Sequence, residues 1–242
     1  PLERTIEPDA LVYSHVKVAI DRAKRTATFI VKAPTPAQPT DIAGIEAAGA
    51  RWYPLQMVRE LEDAILSMRT NELDIGAWTI RSQGDIGAVQ AMDSVLAEHR
   101  QHWFVRETIG MLRRAIGRLD VTSRSLFALI EEGSCFAGTF LELALACDRI
   151  YHLALPDSPE TTPNIAVTET NFGFYPMATG QSRLARRFCD EAAPLDAVRA
   201  AGTESGALER CQDLLERYKE EAIRTLGELE NASLKGLLRR VL

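Results

Sequence analysis

Residues 133–148 (GSCFAGTFLELALACD) pass from a glycine-bearing turn into a helix that is apolar on nearly every side, interrupted by one carboxylate, Glu142. A helix apolar all round must lie inside a protein. Just before it, residues 125–130 (SLFALI) form a short apolar run of the kind that makes a buried strand. A buried strand that runs through a glycine turn into a buried helix is a unit of a layered α/β core. The rest of the chain must then supply strands to pair with it and helices to cover them. A carboxylate inside such a helix is costly unless it is paired, hydrogen-bonded or neutralised. Glu142 is therefore a candidate functional residue, and the free backbone N–H groups at the helix start are candidates for holding a negative charge.

The flanking sequence supplies those elements. Residues 1–20 read as a polar lead, with 16–20 pairing as a hairpin with the β-branched run 26–32. The proline-bearing stretch from 33 to 52 reads as loop. Leu55, Val58, Leu61, Ile65 and Leu66 recur at helical spacing and predict a helix over 54–69. A strand over 73–81 follows, then a turn at Ser82, Gln83, Gly84 and Asp85, and helices over 85–98 and 103–118. The second of these carries Thr108, Met111, Leu112, Ala115, Ile116 and Leu119 inward. Beyond the apolar helix the pattern gives a strand over 149–155, a loop over 156–163 and a short strand over 165–168. A turn over 171–176 and helices over 180–189 and 195–201 complete it. After Gly206 the texture turns rich in Leu, Glu, Arg and Lys at helical spacing, without a site-like constellation. The expected division is a domain over 1–201 and a helical tail, unassigned, over 202–242.

With 242 residues, 46% of them hydrophobic, the chain can bury a sizeable core. A net charge of -6 gives no global reason to expect nucleic acid or an anionic membrane as partner. Cys135, Cys147, Cys189 and Cys211 form no C-x-x-C pair and read as reduced thiols of a cytoplasmic protein. No apolar run reaches bilayer-spanning length, and no signal-like segment precedes the first strand. Opening on Pro1 rather than Met, the sequence reads as a fragment or a processed form.

Three motifs in order carry a family resemblance. Gly138 and Glu142, followed by Leu143, Ala144, Leu145, Ala146, Cys147 and Asp148, resemble the signature of the crotonase (enoyl-CoA hydratase/isomerase) superfamily. Glu169, Gly173 and Pro176, continuing to Arg183 and Leu184, resemble its E-x-x-x-G-x-x-P segment, and the Arg81–Asp85 turn resembles its first oxyanion turn. Further segments, among them 66–73 (LSMRTNEL), 103–110 (WFVRETIG) and 171–176 (NFGFYP), look like the second half of the benzoyl-CoA-dihydrodiol lyases. These are longer members of the superfamily that open the ring of an epoxidised benzoyl-CoA with water and release formate. The resemblance implies a crotonase-like (ClpP/crotonase) fold of repeated ββα units with a helical C-terminal tail. It also implies an acyl-CoA substrate that brings its own coenzyme A, with no other cofactor and no metal.

The implied chemistry follows from charge. In such enzymes a thioester carbonyl becomes enolate-like, and two backbone N–H groups stabilise the developing oxyanion in a water-poor site. The resemblance assigns those positions to Gly84 and to Thr139 with Gly138 beside it, and the acid/base pair to Glu142 and Glu169. Two carboxylates near one cleft repel, so one pKa rises and the pair can divide proton removal from donation. The alternatives stand beside this. Glu142 could complement a helix dipole from a first turn, Glu169 could be a solvated turn residue, and the glycines could be ordinary turn glycines. Thr139, Phe140 and Leu141 also fill the place of the family's glycine cluster with bulkier groups. The region is then either catalytic or a degenerate structural half that assembles with a catalytic crotonase region, as a homo-oligomer or by pairing with another such region. An enoyl-CoA hydratase/isomerase is a further alternative. His99 and His102 have metal-ligand spacing without a third ligand and read as an exposed turn. Arg183, Arg186 and Arg187 read as a solvated helix face that could reach coenzyme A phosphates.

Overall fold

The computed structural model describes residues 2–34, 38–155, 162–188 and 192–203. The chain divides into two compact units, Pro1–Cys189 and Asp190–Leu242. In the first, seven strands lie in sequence order across one sheet. Strands β1 (Arg4–Glu7), β2 (Ala10–Tyr13), β3 (Val16–Asp21) and β4 (Thr26–Lys32) form an antiparallel meander. From β4 the sheet turns parallel through β5 (Ala77–Gln83), β6 (Ser125–Ile130) and β7 (Arg149–His152). Parallel neighbours need long crossovers. These are α1 (Ile42–Ala48) with α2 (Tyr53–Asn71), then α3 (Ile86–Glu98) with α4 (Trp103–Asp120), then α5 (Gly138–Leu145). The expected α/β architecture is present.

Alternation along the strands decides which sheet face is covered. Ala27, Phe29 and Val31 of β4, Trp78 and Ile80 of β5, and Leu126, Ala128 and Ile130 of β6 are buried. They join one hydrophobic cluster with Met57, Val58, Leu61 and Ile65 of α2 and Leu112, Ala115 and Ile116 of α4. The alternate residues, including Thr28, Ile30, Thr79, Phe127 and Leu129, stay partly exposed. Glu60 of α2 is fully buried and accepts backbone N–H from His15 (2.7 Å) and Val16 (3.2 Å), which fastens the turn between β2 and β3 to the helix layer.

Several expectations need correction. The polar lead contains β1 and β2, and the supposed loop over 33–52 contains α1 and a 3-10 turn at Gly49–Arg51. Helix α1 starts where the Asp41 carboxylate accepts from the Gly44 N–H at 2.6 Å, and it ends at Gly49, whose φ of 52° suits glycine. The strand expected over 73–81 is β5, starting only at Ala77, because Leu73 is exposed and the chain turns before it. The strand expected over 165–168 is a single parallel bridge between Ala166 and Ala137, and the helix expected over 180–189 shrinks to α6 (Arg183–Arg187). In the second unit, α7 (Ala192–Thr203) covers the helix expected over 195–201. The helices expected after Gly206 lie outside the described residues. No helix among the described residues is long and apolar enough to cross a membrane.

Candidate functional site

Parallel sheets place ligands beyond the carboxyl ends of their strands, and the motif residues lie there. The turn after β5 and the turn after β6 are fastened together: Gly84 N–H donates to the Gly133 carbonyl (3.1 Å), and the Cys135 N–H donates to Ser82 Oγ (2.9 Å). Gly84 has φ 134°, and a Cβ there would lie 2.6 Å from the Ala33 Cβ, so the position requires glycine on both counts. Beside this joint, Asp85 caps α3 by accepting from the Ala88 N–H at 2.9 Å. A cavity of about 280 Å³ opens alongside, lined by Pro39, Trp52, Pro54, Asp85, Ala88 and Met92 among others.

Glu142 is buried as expected, at 1% exposure. It lies in the second turn of α5, not the first, so the helix-dipole alternative does not describe it. Its Oε1 accepts from Asn171 Nδ2 (2.8 Å) and its Oε2 from Arg183 Nη1 (3.0 Å). Arg183 is itself buried and also grips Asp120 through Nε (3.0 Å) and Nη2 (2.5 Å) and donates to the Tyr175 carbonyl (2.9 Å). The expectation of a solvated face for this arginine is therefore wrong: it is the cation of an internal Asp120–Arg183–Glu142 triad. Burial raises the Glu142 pKa, and the Asn171 hydrogen bond and the Arg183 charge oppose the rise. Arg186 and Arg187 do lie exposed on the helix face, where Arg187 also donates to the Leu145 and Cys147 carbonyls.

The other predicted residues have mixed placements. Gly138 starts α5 with φ 40°, and its N–H donates to the Ala166 carbonyl at 3.0 Å. Thr139 is buried, and its N–H donates to Asp93 Oδ2 at 2.9 Å. Glu169 is exposed at the start of a 3-10 turn (Glu169–Phe172), while its neighbours Thr168, Thr170 and Asn171 turn their polar atoms inward. The structure thus gathers Gly138, Thr139 and Glu142 on one buried helix and leaves Glu169 at the surface. The nearby histidines serve the fold. His99 Nε2 contacts the Thr40 carbonyl (2.7 Å) and His102 Nε2 lies 3.4 Å from Glu46, and no metal-ligating cluster occurs among the described residues. Cys135 and Cys147 are free and buried, and burial pushes their thiols up to about 11 and about 12.

The residue that motif reading missed is Asp93. It is 2% exposed on α3, and its carboxylate meets Thr139 N–H, Thr139 Oγ1 (2.5 Å), Thr168 Oγ1 (3.0 Å) and Thr170 Oγ1 (3.3 Å). With its one proton directed to Asp93, the Thr139 oxygen accepts from the Tyr175 hydroxyl at 2.8 Å. Burial pushes the Asp93 pKa up to about 6, against the lowering effect of these donors. A sequence signal existed: Val89, Met92, Asp93 and Leu96 share the buried stripe of α3.

No family model matches the chain. A benzoyl-CoA-dihydrodiol lyase of Aromatoleum evansii is 51% identical to it over 199 residues, which are 82% of this chain. This chain is a relative of that lyase over most of its own length. It spans only about a third of the lyase, the match covering 35% of the longer protein. Among solved structures, an enoyl-CoA hydratase from Geobacillus kaustophilus HTA426 aligns at 17% identity over 77% of this chain and 59% of its own, with a TM-score of 0.42. Pseudomonas aeruginosa DspI aligns at 18% identity over 77% and 69%, with a TM-score of 0.44.

Proposed function

We propose that this chain serves acyl-CoA thioester chemistry as a region of a benzoyl-CoA-dihydrodiol lyase, acting in the ring opening of an epoxidised benzoyl-CoA. The observation that carries the reading is the 51% identity over 199 residues to a lyase of that name. In this reading the cavity beside Asp85 takes the acyl group. The N–H groups of Gly84 and of Thr139 or Gly138 face the thioester oxygen, and Glu142 and Glu169 divide activation of water from protonation of the leaving oxygen. Those amides must then exchange their present acceptors for substrate. The substrate supplies its own coenzyme A, so no further cofactor and no metal is called for, and a cytoplasmic location belongs to the same reading. The test replaces Glu142 and Glu169 by Gln, each in the longest protein that carries this chain, and follows formate release from epoxidised benzoyl-CoA. A fall of about 100-fold or more is expected for the acid/base residues. Wild-type turnover in both variants overturns the assignment.

A second reading, a support region that assembles with a catalytic crotonase-like region or with further copies of itself, is favoured by one specific observation. All three candidate amides donate to protein acceptors, and both Glu142 oxygens are engaged. Unchanged turnover joined to lowered stability in the Glu142 variant is the signature of that role.

A further inference from the structure

The geometry points to Asp93 as a built-in anion: its carboxylate fills, from within the chain, a carboxylate-binding nest at the start of α5 that would otherwise be open to an external anionic oxygen. This inference rests on the second reading above, in which the region keeps the shape of an oxyanion site without turning substrate over.

Three observations carry it. Firstly, the carboxylate is held as a bound anion is held. Its partners are a backbone N–H at a helix start and hydroxyl groups of Thr139, Thr168 and Thr170, and no cation pairs with it among the described residues. Glu142, one turn along α5, is held in the opposite manner, by the Arg183 guanidinium. Secondly, the backbone is shaped to receive it. A Cβ on Gly138 would lie 1.6 Å from Asp93 Oδ2 and 2.4 Å from Thr168 Oγ1, so glycine at this position lets the anion approach the main chain directly. Thirdly, the donors come from two separate segments, the α5 start and the turn over 168–170, and converge on a group delivered by a third, α3. The N–H of Thr139 is the amide that the motif assigns to the thioester oxygen. Asp93 ties the helix start and the turn to α3.

The experiment removes the internal anion and offers an external one to the full chain. Asp93→Ala deletes a group the size of formate, and Asp93→Gly deletes one the size of acetate. Melting is followed in sodium formate or sodium acetate against sodium chloride at equal ionic strength. The expected result is a saturable rise in Tm of about 3 °C in the matched salt, absent from the wild type. Adding Thr168→Val and Thr170→Val is expected to abolish it. Equal responses of variant and wild type overturn the inference. If the variants fold poorly, refolding yield in formate against chloride gives the same decision: recovery supports the nest, and equal yields overturn it. The outcome is separable from the functional reading. Turnover that depends on Glu142 defeats the support role yet leaves the formate response to be decided on its own.

Discussion

Replacing Arg183 by Met tests whether the buried triad is the pin of the site. Methionine roughly keeps the aliphatic volume but removes the guanidinium, leaving Glu142 at 2% and Asp120 at 11% side-chain exposure without their shared cation. Breaking a buried pair in this way costs about 3–5 kcal/mol, because an uncompensated charge stays behind. The Tyr175 carbonyl also loses a donor, at about 1 kcal/mol. At roughly 2–4 °C per kcal/mol for a chain of this length, Tm should fall by about 15 °C. Urea unfolding at pH 7, followed by circular dichroism, measures the loss. The physical cause is checked by neutralising the stranded carboxylates: R183M/E142Q/D120N should recover about half of it. Without Arg183 the Glu142 pKa rises further, so the deficit should narrow as pH falls and the carboxyl becomes neutral. A cost of R183M under about 1 kcal/mol, or a triple variant no more stable than R183M alone, refutes the reasoning.

Two further outcomes are expected. Asp93 has its folded pKa raised to about 6, above the ordinary 3.8, so its stabilising contribution is complete at low pH and is lost as pH rises through about 6. D93N lacks that slope. Between pH 4 and 7 its stability should therefore gain on the wild type by roughly 2–3 kcal/mol, and parallel stability–pH curves would exclude a buried titrating carboxylate here. G138A forces a methyl group into the Asp93 carboxylate at a φ of 40°, and should lower stability by about 3 kcal/mol or more. An unchanged melting temperature would mean that the carboxylate does not sit against the backbone.

Strands with strong alternation or continuous apolar character, such as β3, β4 and β6, were legible in the sequence, as were α2, α3 and α4 with their periodic faces. Strand β1 was not, because all four of its residues are exposed and it carries no buried stripe. Helix α1 was hidden by brevity and by Gly44 and Gly49, although Asp41 three residues before Gly44 was a local capping signal. In the site, the burial of Glu142 could be read from its apolar neighbours. Its partner could not, since the segment RLARR around Arg183 resembles any basic surface helix, and only tertiary packing brings it 41 residues back to α5. Motif matching also drew attention to Glu169, while the inward-facing groups of that segment are the threonines and asparagine on either side. Asp93 was passed over because it belongs to no motif, even though its helical spacing placed it on the buried stripe.

The meeting of α3, α5 and the 168–170 turn at one carboxylate also has a dynamic consequence. Hydrogen bonds that span 46 and 75 residues of sequence close on a single side chain, so none of the three segments can detach without leaving a buried charge or buried donors unsatisfied. Local opening in this part of the molecule should therefore be all-or-none. The Thr139 amide, buried at the joint, should exchange its hydrogen only when the whole cooperative unit opens, and at the rate of its slowest neighbours.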